Sequence, residues 1–327
     1  MASFSLLHYN SGAYIFVKAY DVSSLPTTIN LNDANEDEIR TYYSSLLDYS
    51  DENRSGSNLL IQLKNILKSG QKYYSYDTSN LWAMYEITDR DWNLSPASDL
   101  NDSSKPTYGE GKYDSTTNTI SNYTYGKSMS NHSYDPYIHA LYVNRNVTNQ
   151  TTAWSDHGQT QWGINQEHVW PKSQGFDSSG KGGARGDPFH LMAGNGRVNG
   201  TEHNNNFYGF VDTSKSYIDP VKAKGFSNLS GNLRGTSLTL GTKTVFEPQD
   251  SDKGDIARAI FYMVARYNYL SGIDSDGIDM NNPNLELVQS ADALSSYTSS
   301  NTLKTESPLG CILFIVNKYS NSSGLTS

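Results

Sequence analysis

The chain has 327 residues, with 25 Lys and Arg against 34 Asp and Glu, so its formal net charge is −9. This length suffices for one large domain, or for two smaller ones, with a buried core. The single cysteine, Cys311, excludes a framework of intrachain disulfides. The excess of acidic residues is atypical of proteins that hold nucleic acid by bulk positive charge. The chain has no run of about 18 apolar residues, so we expect no transmembrane helix and no membrane partner.

Uncharged polar residues and tyrosine dominate the composition. The chain contains 24 Tyr and 26 Gly, together with many Ser, Asn and Thr. Such a composition is more typical of secreted than of cytosolic proteins. Residues 1–20 lack the basic segment and the continuous apolar segment of a signal peptide. We therefore expect a secreted, extracellular protein whose signal lies upstream of Met1.

The first part of the chain carries one predicted strand and two predicted helices. Residues 12–20 are dense in β-branched and aromatic side chains, which predicts a strand. Asn32 and Asp33 are candidate N-caps for a helix that runs as far as Leu47, with acidic residues crowding its first turn. Apolar residues at helical spacing predict a second helix over residues 57–67.

The rest of the chain alternates between polar loops and short apolar elements. Residues 81–88 predict a short buried helix, and we interpret residues 93–136, rich in Ser, Asn, Asp, Gly and Thr, as a long loop insertion. Ile138–Val143 predicts a strand. Residues 211–245 predict a loop with short strands, and residues 254–270 predict the best helix of the chain.

The side chains with the clearest chemistry lie between residues 163 and 206. Glu167 and His168 place a carboxylate beside an imidazole, and Asn199 lies on a short predicted helix that opens after Gly194-Asn195-Gly196. Phosphodiester hydrolysis needs a base for water, which neutral histidine provides, and a hard cation, which carboxylate and amide oxygens bind. Because neighbours in a strand point to opposite faces, Glu167 and His168 must lie at a strand end or bend to converge.

Four blocks of such residues follow one another along the chain: Asn165-Gln-Glu-His-Val-Trp-Pro-Lys-Ser173, Asp187-x-x-His190-Leu191, Gly196-Arg-Val-Asn199-Gly with Asn204, and Phe246-Glu-Pro248 to Met263. This ordered set resembles the endonuclease I family of secreted and periplasmic nucleases, in the His-Me finger (ββα-metal) group. The resemblance covers roughly residues 40–290. It implies an α+β fold, mixed and built around a ββα-metal motif with surrounding helices.

The resemblance also implies a role for each matching residue. His168 is the general base, and Glu167 and Asn199 ligate one divalent cation, Mg²⁺, with Mn²⁺ or Ca²⁺ as alternatives. Arg185 is assigned to the scissile or product phosphate. We therefore expect a monomeric, Mg²⁺-dependent endonuclease that cuts DNA with little sequence preference, with RNA as a second substrate, and that needs no other cofactor.

Other polar residues of this stretch have less specialised interpretations. His190 is expected to play a structural role by hydrogen bonding beneath the site, and His203 is expected to be exposed. Asn204 is expected to cap the helix or brace the loop. The sequence departs from the family pattern at Phe189, where the family usually has histidine, and at Glu202, where a basic residue is common.

We predict that the chain divides into three segments, and two other functions are compatible with its sequence. Residues 1–40 form an N-terminal strand and linker, residues 41–290 the endonuclease I-like catalytic domain with the 93–136 insertion, and residues 291–327 a C-terminal segment that we expect to be truncated. The aromatic and Asn-rich surface would also suit a secreted glycan-binding or adhesion protein. The remaining alternative is an inactive nuclease-fold module that binds DNA.

The negative charge is concentrated away from the candidate site. Residues 20–60 hold eight acidic and two basic side chains, whereas residues 211–245 hold five basic and two acidic ones. A bound Mg²⁺ would add positive charge where the phosphate lies. The overall charge therefore predicts modest, salt-sensitive affinity for DNA and does not exclude DNA as a substrate.

Overall fold

A computed structural model of the chain describes residues 3–6, 15–18, 27–32, 35–47, 56–69, 85, 88–93, 96–102, 110–124, 139–143, 164–171, 183–204, 206–219, 231–238, 241–268 and 285. The chain divides into two compact units. The first comprises Met1–His139 and Thr148–Ser155, and the second comprises Ala140–Val147 and Asp156–Ser327. Both units mix helices with strands, which confirms the predicted α+β class. No helix within the described residues has the length and apolarity to span a membrane.

The first unit contains five strands, three α-helices and a 3₁₀ helix among its described residues. They are β1 (Ser3–Leu6), β2 (Ile15–Lys18), β3 (Ile29–Asn30), α1 (Glu36–Tyr42), α2 (Ser44–Leu47), α3 (Gly56–Lys68), the 3₁₀ helix Ala97–Asn101, β4 (Glu110–Asp114) and β5 (Thr119–Thr124). Strands β1 and β2 pair antiparallel, and a second antiparallel sheet has the order β3-β5-β4. A hydrophobic core beside this second sheet is formed by Ile29, Ala97, Ile120 and Tyr123.

The N-terminal predictions hold in outline, with one corrected helix. Strand β2 lies inside the predicted 12–20 segment, and α3 confirms the helix predicted over 57–67. The first helix is capped by Asn35 rather than by Asn32 or Asp33, because the Asn35 side chain accepts the Glu38 N–H at 2.8 Å. This helix ends at Tyr42, and a separate helical turn, α2, continues to Leu47.

Part of the segment predicted as a long loop forms regular secondary structure, so that prediction is wrong for the residues of these elements. Residues 93–136 contain the 3₁₀ helix and the β4–β5 hairpin. Ile120 and Tyr123 of β5 are both buried although they are three residues apart, because Asn122 between them adopts a left-handed conformation with φ 54°. This irregularity removes the strict alternation by which a strand is recognised in sequence. The helix predicted over 81–88 lies outside the described residues except at Tyr85 and Thr88.

The second unit is built from six strands and two α-helices among its described residues. They are β6 (Ile164–His168), the 3₁₀ helix Gly183–Gly186, β7 (Leu191–Asn195), α4 (Gly196–Val198) with the π-helical turn Asn199–His203, β8 (Phe207–Tyr208), β9 (Tyr217–Ile218), β10 (Leu233–Thr236), β11 (Thr244–Glu247) and α5 (Asp250–Tyr267). Strands β6 and β7 form an antiparallel pair, and the other four form a sheet of order β8-β11-β10-β9.

Among the described residues, the late predictions are confirmed within 211–245 and for the last helix, but not for the part of Ile138–Val143 that the structure describes, residues 139–143. Instead of a strand, Leu141 makes an isolated parallel bridge to Gly194 of β7. The next residue, Tyr142, has φ 72°, which ends any extended conformation. Helix α5 begins earlier than predicted, at Asp250, and its Lys253 is buried between the carboxylates of Glu247 (2.8 Å) and Asp250 (2.6 Å).

Candidate functional site

An antiparallel strand pair followed by a short helix supports the candidate site. Strands β6 and β7 pair in a continuous register in which His168 lies opposite Leu191. The predicted helix begins at Gly196, because the Asn195 side chain accepts the N–H groups of Arg197 and Val198, each at 3.1 Å. As predicted, Asn204 ends this helical segment, with φ 46° and its N–H donated to the Asn199 carbonyl at 2.7 Å.

The helical segment places Asn199 against strand β6. Its Nδ2 donates to Asn165 Oδ1 at 2.7 Å and lies 3.4 Å from the Gln166 carbonyl oxygen. Asn165 and Glu167 are two positions apart in the strand, so their side chains project from the same face. The structure therefore brings Asn199 to the Glu167 face of β6, where its amide packs on Asn165.

The Glu167 carboxylate is buried, with 1% of its side chain exposed. Its Oε1 accepts a hydrogen bond from the Tyr142 hydroxyl at 2.6 Å and another from His203 Nδ1 at 2.6 Å. Burial is the largest cause, and the charge of Glu167 the second largest, of a Tyr142 pKa that lies well above its usual value. This hydroxyl therefore keeps its proton. His203 is 1% exposed, so the prediction that it is exposed is wrong: the π-helical turn directs it inward onto Glu167.

Gly194 makes room for Glu167. It lies opposite Asn165 in the β6–β7 pair, and a Cβ atom at position 194 would come within 2.8 Å of the Glu167 Cβ. Because both atoms are attached directly to paired backbones, neither a rotamer change nor a small side-chain movement could relieve the contact. Glycine at position 194 is therefore needed for the observed placement of Glu167.

The substitution Gly194→Ala is expected to destabilise the protein by about 1–3 kcal/mol, because the added methyl group overpacks the strand pair. A matched control is Gly254→Ala in α5, whose Cβ would meet only the guanidinium of Arg258, at 3.5 Å. Alanine there should be neutral or stabilising by up to about 1 kcal/mol, since it favours helix. Urea unfolding of both variants measures the difference, and equal stabilities would contradict the contact.

His168 ends strand β6 and is positioned by a backbone carbonyl. Its Nε2 lies 3.1 Å from the carbonyl oxygen of Arg185, and the imidazole is 7% exposed. A carbonyl oxygen only accepts hydrogen bonds, so the neutral ring carries its proton on Nε2 and keeps its lone pair on Nδ1. The structure thus selects the tautomer in which Nδ1 is the basic nitrogen.

His190 lies beneath His168 and holds the same loop, as predicted for a structural residue. The two rings are 5.4 Å apart between centroids, and His190 Nε2 contacts the Ala184 carbonyl oxygen at 2.7 Å. Burial lowers the pKa of His190 to about 3, so its ring is neutral at physiological pH. Arg185 is also buried, and it contributes its backbone carbonyl to the site. The assignment of its guanidinium to a phosphate stays a prediction.

Asp187 fixes the loop that carries Ala184 and Arg185. It accepts the Phe189 N–H at 2.9 Å and the hydroxyls of Tyr262 and Tyr267 of α5, each at 2.8 Å. Burial raises the pKa of the Asp187 carboxyl, although these three hydrogen bonds act in the opposite direction. This buried loop explains why a histidine at the strand end holds one orientation.

The oxygen atoms on the Glu167 face suit a hard cation. Within the part of the chain that the structure describes, no three His, Cys, Asp or Glu side chains converge as a metal cluster. The donors available are the Glu167 carboxylate and the amide oxygen of Asn199, which are oxygen ligands of the kind that Mg²⁺ and Ca²⁺ accept together with water and phosphate. The hydrogen bonds from Tyr142 and His203 end on Oε1, so Oε2 is the oxygen that these two donors leave for a cation.

Glu167 and His168 are adjacent in sequence but have different surroundings. Glu167 lies among Tyr142, His203 and the Asn199 face, whereas His168 contacts the Arg185 carbonyl. Sequence reasoning missed Tyr142, and with it Tyr208, whose hydroxyl lies 2.6 Å from that of Tyr142. The only available signal was the unusual tyrosine content, which does not indicate which tyrosines approach a carboxylate.

Comparison with known proteins identifies the family. The chain matches the family model described as Endonuclease I over residues 55–275. Proteins named extracellular ribonuclease from Bacillus subtilis (strain 168) and Bacillus amyloliquefaciens are each 32% identical over 120 residues, or 37% of this chain and 35% of theirs. The chain thus aligns with about a third of the length of these curated relatives. No solved structure shows a significant match. Because the family match spans more than half of the chain and includes every residue of the site, the protein belongs to the endonuclease I family.

Proposed function

We propose that the protein is a metal-dependent, sequence-nonspecific endonuclease that hydrolyses phosphodiester bonds in nucleic acid, and that the β6–β7 pair with α4 is its ββα-metal motif. The observation that carries the proposal is the 3.1 Å contact between His168 Nε2 and the Arg185 carbonyl oxygen, which favours the tautomer with its proton on Nε2. That arrangement supplies a basic nitrogen at the end of a rigid strand. The oxygen donors of Glu167 and Asn199 lie on the neighbouring face of the same hairpin and helix.

In the proposed reaction, His168 acts as the general base. Its Nδ1 accepts a proton from a water molecule, which then attacks the phosphorus atom in line with the leaving 3′ oxygen. The Nε2–H bond to Arg185 keeps the ring oriented while Nδ1 becomes protonated, and it strengthens when the ring is charged. The Arg185 guanidinium is proposed to hold the scissile or product phosphate.

Glu167 and Asn199 would hold the cation, through a carboxylate oxygen and an amide oxygen respectively. We propose Mg²⁺, with Mn²⁺ and Ca²⁺ as alternatives. When bound, such a cation stabilises negative charge on the phosphate and on the leaving 3′ oxygen. Asn165 assists by accepting the Asn199 amide N–H at 2.7 Å, which turns the other end of that amide, its oxygen, away from the strand.

Substrate and location are proposed from the family and the relatives. Both relatives bear the name extracellular ribonuclease, which supports RNA as a substrate beside the DNA expected from the sequence, and supports secretion. A glycan-binding protein would not need a histidine whose tautomer is fixed by a buried carbonyl. An inactive module that binds DNA has the same fold, and only an activity measurement distinguishes it.

The decisive experiment incubates supercoiled plasmid and single-stranded RNA with the protein in Mg²⁺, Mn²⁺, Ca²⁺ or EDTA. We expect the plasmid to be nicked and then degraded, and the RNA to be shortened, with a divalent cation and not with EDTA. Degradation without sequence preference would appear as a smear rather than as discrete fragments. If neither substrate is cut with any of the three cations, the proposed activity is wrong.

A further inference from the structure

We infer that Tyr142 and His203 are positioning residues, which orient the Glu167 carboxylate so that its Oε2 is presented to the cation. The inference rests on the proposed function in one respect, the assignment of Glu167 as a metal ligand. It adds Tyr142, which lies outside the sequence blocks that resemble the family, and His203, which was expected to be exposed. It also gives each of them one chemical task, the donation of a hydrogen bond to Oε1.

The hydrogen bonds around Glu167 run in one direction. The Tyr142 hydroxyl donates its single proton to Glu167 Oε1, and the Tyr208 hydroxyl, 2.6 Å from that of Tyr142, is a further donor beside the same carboxylate. His203 Nδ1 lies 2.6 Å from the same oxygen, and in the tautomer that carries its proton on Nδ1 the ring donates to it as well. Two donors on one oxygen fix the rotation of the carboxylate about its last bond, and hence the direction of Oε2.

Tyr142 reaches Glu167 only through an unfavourable backbone conformation. Its φ of 72° lies in the left-handed region, which a residue with a bulky side chain rarely adopts. The conformation is held on both sides: the Tyr142 N–H donates to Asp252 Oδ2 at 2.6 Å, and the Asn232 amide donates to the Tyr142 carbonyl at 2.9 Å. Gln249 braces Asp252 in turn, at 3.0 Å. Backbone strain that is so fully enforced by buried polar groups is characteristic of functional sites.

His203 links the two proposed ligands. It ends the same π-helical turn that Asn199 begins, so one short element carries one ligand and the donor that orients the other. The ring is held by stacking on Tyr208, with centroids 4.4 Å apart and planes inclined by 27°. A shift of this turn would therefore change the Asn199 amide and the Glu167 carboxylate together.

The test is the binding of Mn²⁺ measured by isothermal titration calorimetry without nucleic acid. Wild type should bind and Glu167→Gln should not. Tyr142→Phe removes one hydroxyl while keeping the ring, and we expect it to weaken Mn²⁺ binding by about tenfold or more, as loss of such outer hydrogen bonds does at other metal sites. His203→Leu should weaken binding similarly, and His203→Asn should restore part of it, since the amide N–H takes the place of Nδ1–H.

The matched control is Tyr267→Phe. Tyr267 is also a buried tyrosine of the second unit that donates to a buried carboxylate, but its partner is Asp187, at 2.8 Å. Its replacement should lower the melting temperature without changing Mn²⁺ affinity. The inference is overturned if Tyr142→Phe and His203→Leu both bind Mn²⁺ as tightly as wild type, or if Tyr267→Phe weakens Mn²⁺ binding as much as they do. Either result leaves the proposed function intact. If wild type does not bind Mn²⁺, or Glu167→Gln binds it as tightly, the proposed metal site itself is wrong, and the inference with it.

Discussion

Replacing His168 with alanine is expected to slow plasmid nicking by a factor of about 10²–10⁴, the range over which a positioned general base accelerates such reactions. The loss should appear in the rate of the chemical step rather than in nucleic acid binding, because the charged groups that would contact phosphate are unchanged. Because the ring is buried and also packs on that of His190, urea unfolding of the variant separates any loss of folded protein from the loss of the base. Single-turnover nicking at saturating protein measures the effect directly.

Two further measurements separate a base from a residue that only maintains the fold. Added imidazole should restore part of the activity of His168→Ala, because a small base can occupy the space left by the ring and accept the proton. A matched control is His139→Ala: His139 lies in the first unit, is comparably buried (9% exposed) and faces Asp91 at 3.4 Å. Imidazole should leave this variant unchanged. Full activity in His168→Ala would contradict the assignment of the base.

Much of the candidate site could be predicted because its signals are local. The helix start at Gly196 depends on Asn195, which caps it from the preceding position. Because neighbours in a strand face opposite ways, Glu167 and His168 were expected to lie at a strand end or to bend, and His168 is the last residue of β6. Such relations involve neighbours in sequence and require no knowledge of the tertiary structure.

The surroundings of Glu167 could not be predicted, because they depend on distant pairings. Tyr142 is 25 residues and His203 is 36 residues from Glu167, and their approach depends on the register of the β6–β7 pair. The apolar run at 138–143 favoured a strand, and the polar hydrogen bonds that hold Tyr142 at φ 72° override that propensity. A histidine in a polar segment such as 199–206 is usually exposed, and only the π-helical turn brings His203 inside.

His190 is expected to make the stability of the protein depend on pH. Because of this residue, the free energy of unfolding should fall as the pH is lowered below about 6.5. Burial lowers the pKa of His190 from 6.5 to about 3 in the folded protein. Between these values the unfolded chain takes up a proton that the folded protein does not. Stability should therefore decrease by about 1.4 kcal/mol for each pH unit over this window, and His190 should have no effect above it.

The variant His190→Gln isolates this contribution, since glutamine does not titrate and its amide can still donate to the Ala184 carbonyl. Carboxyl groups such as Asp187, whose raised pKa acts with the opposite sign, are present in both proteins and cancel in the comparison. Urea unfolding at pH 7, 6, 5 and 4 should show the stability of wild type, relative to the variant, falling by about 1.4 kcal/mol per unit below pH 6.5. Parallel curves over this range would mean that His190 is protonated as readily in the folded protein as in the unfolded chain. In that case a charged ring would lie beneath His168, and the Ala184 carbonyl would have to stabilise it against the cost of burial.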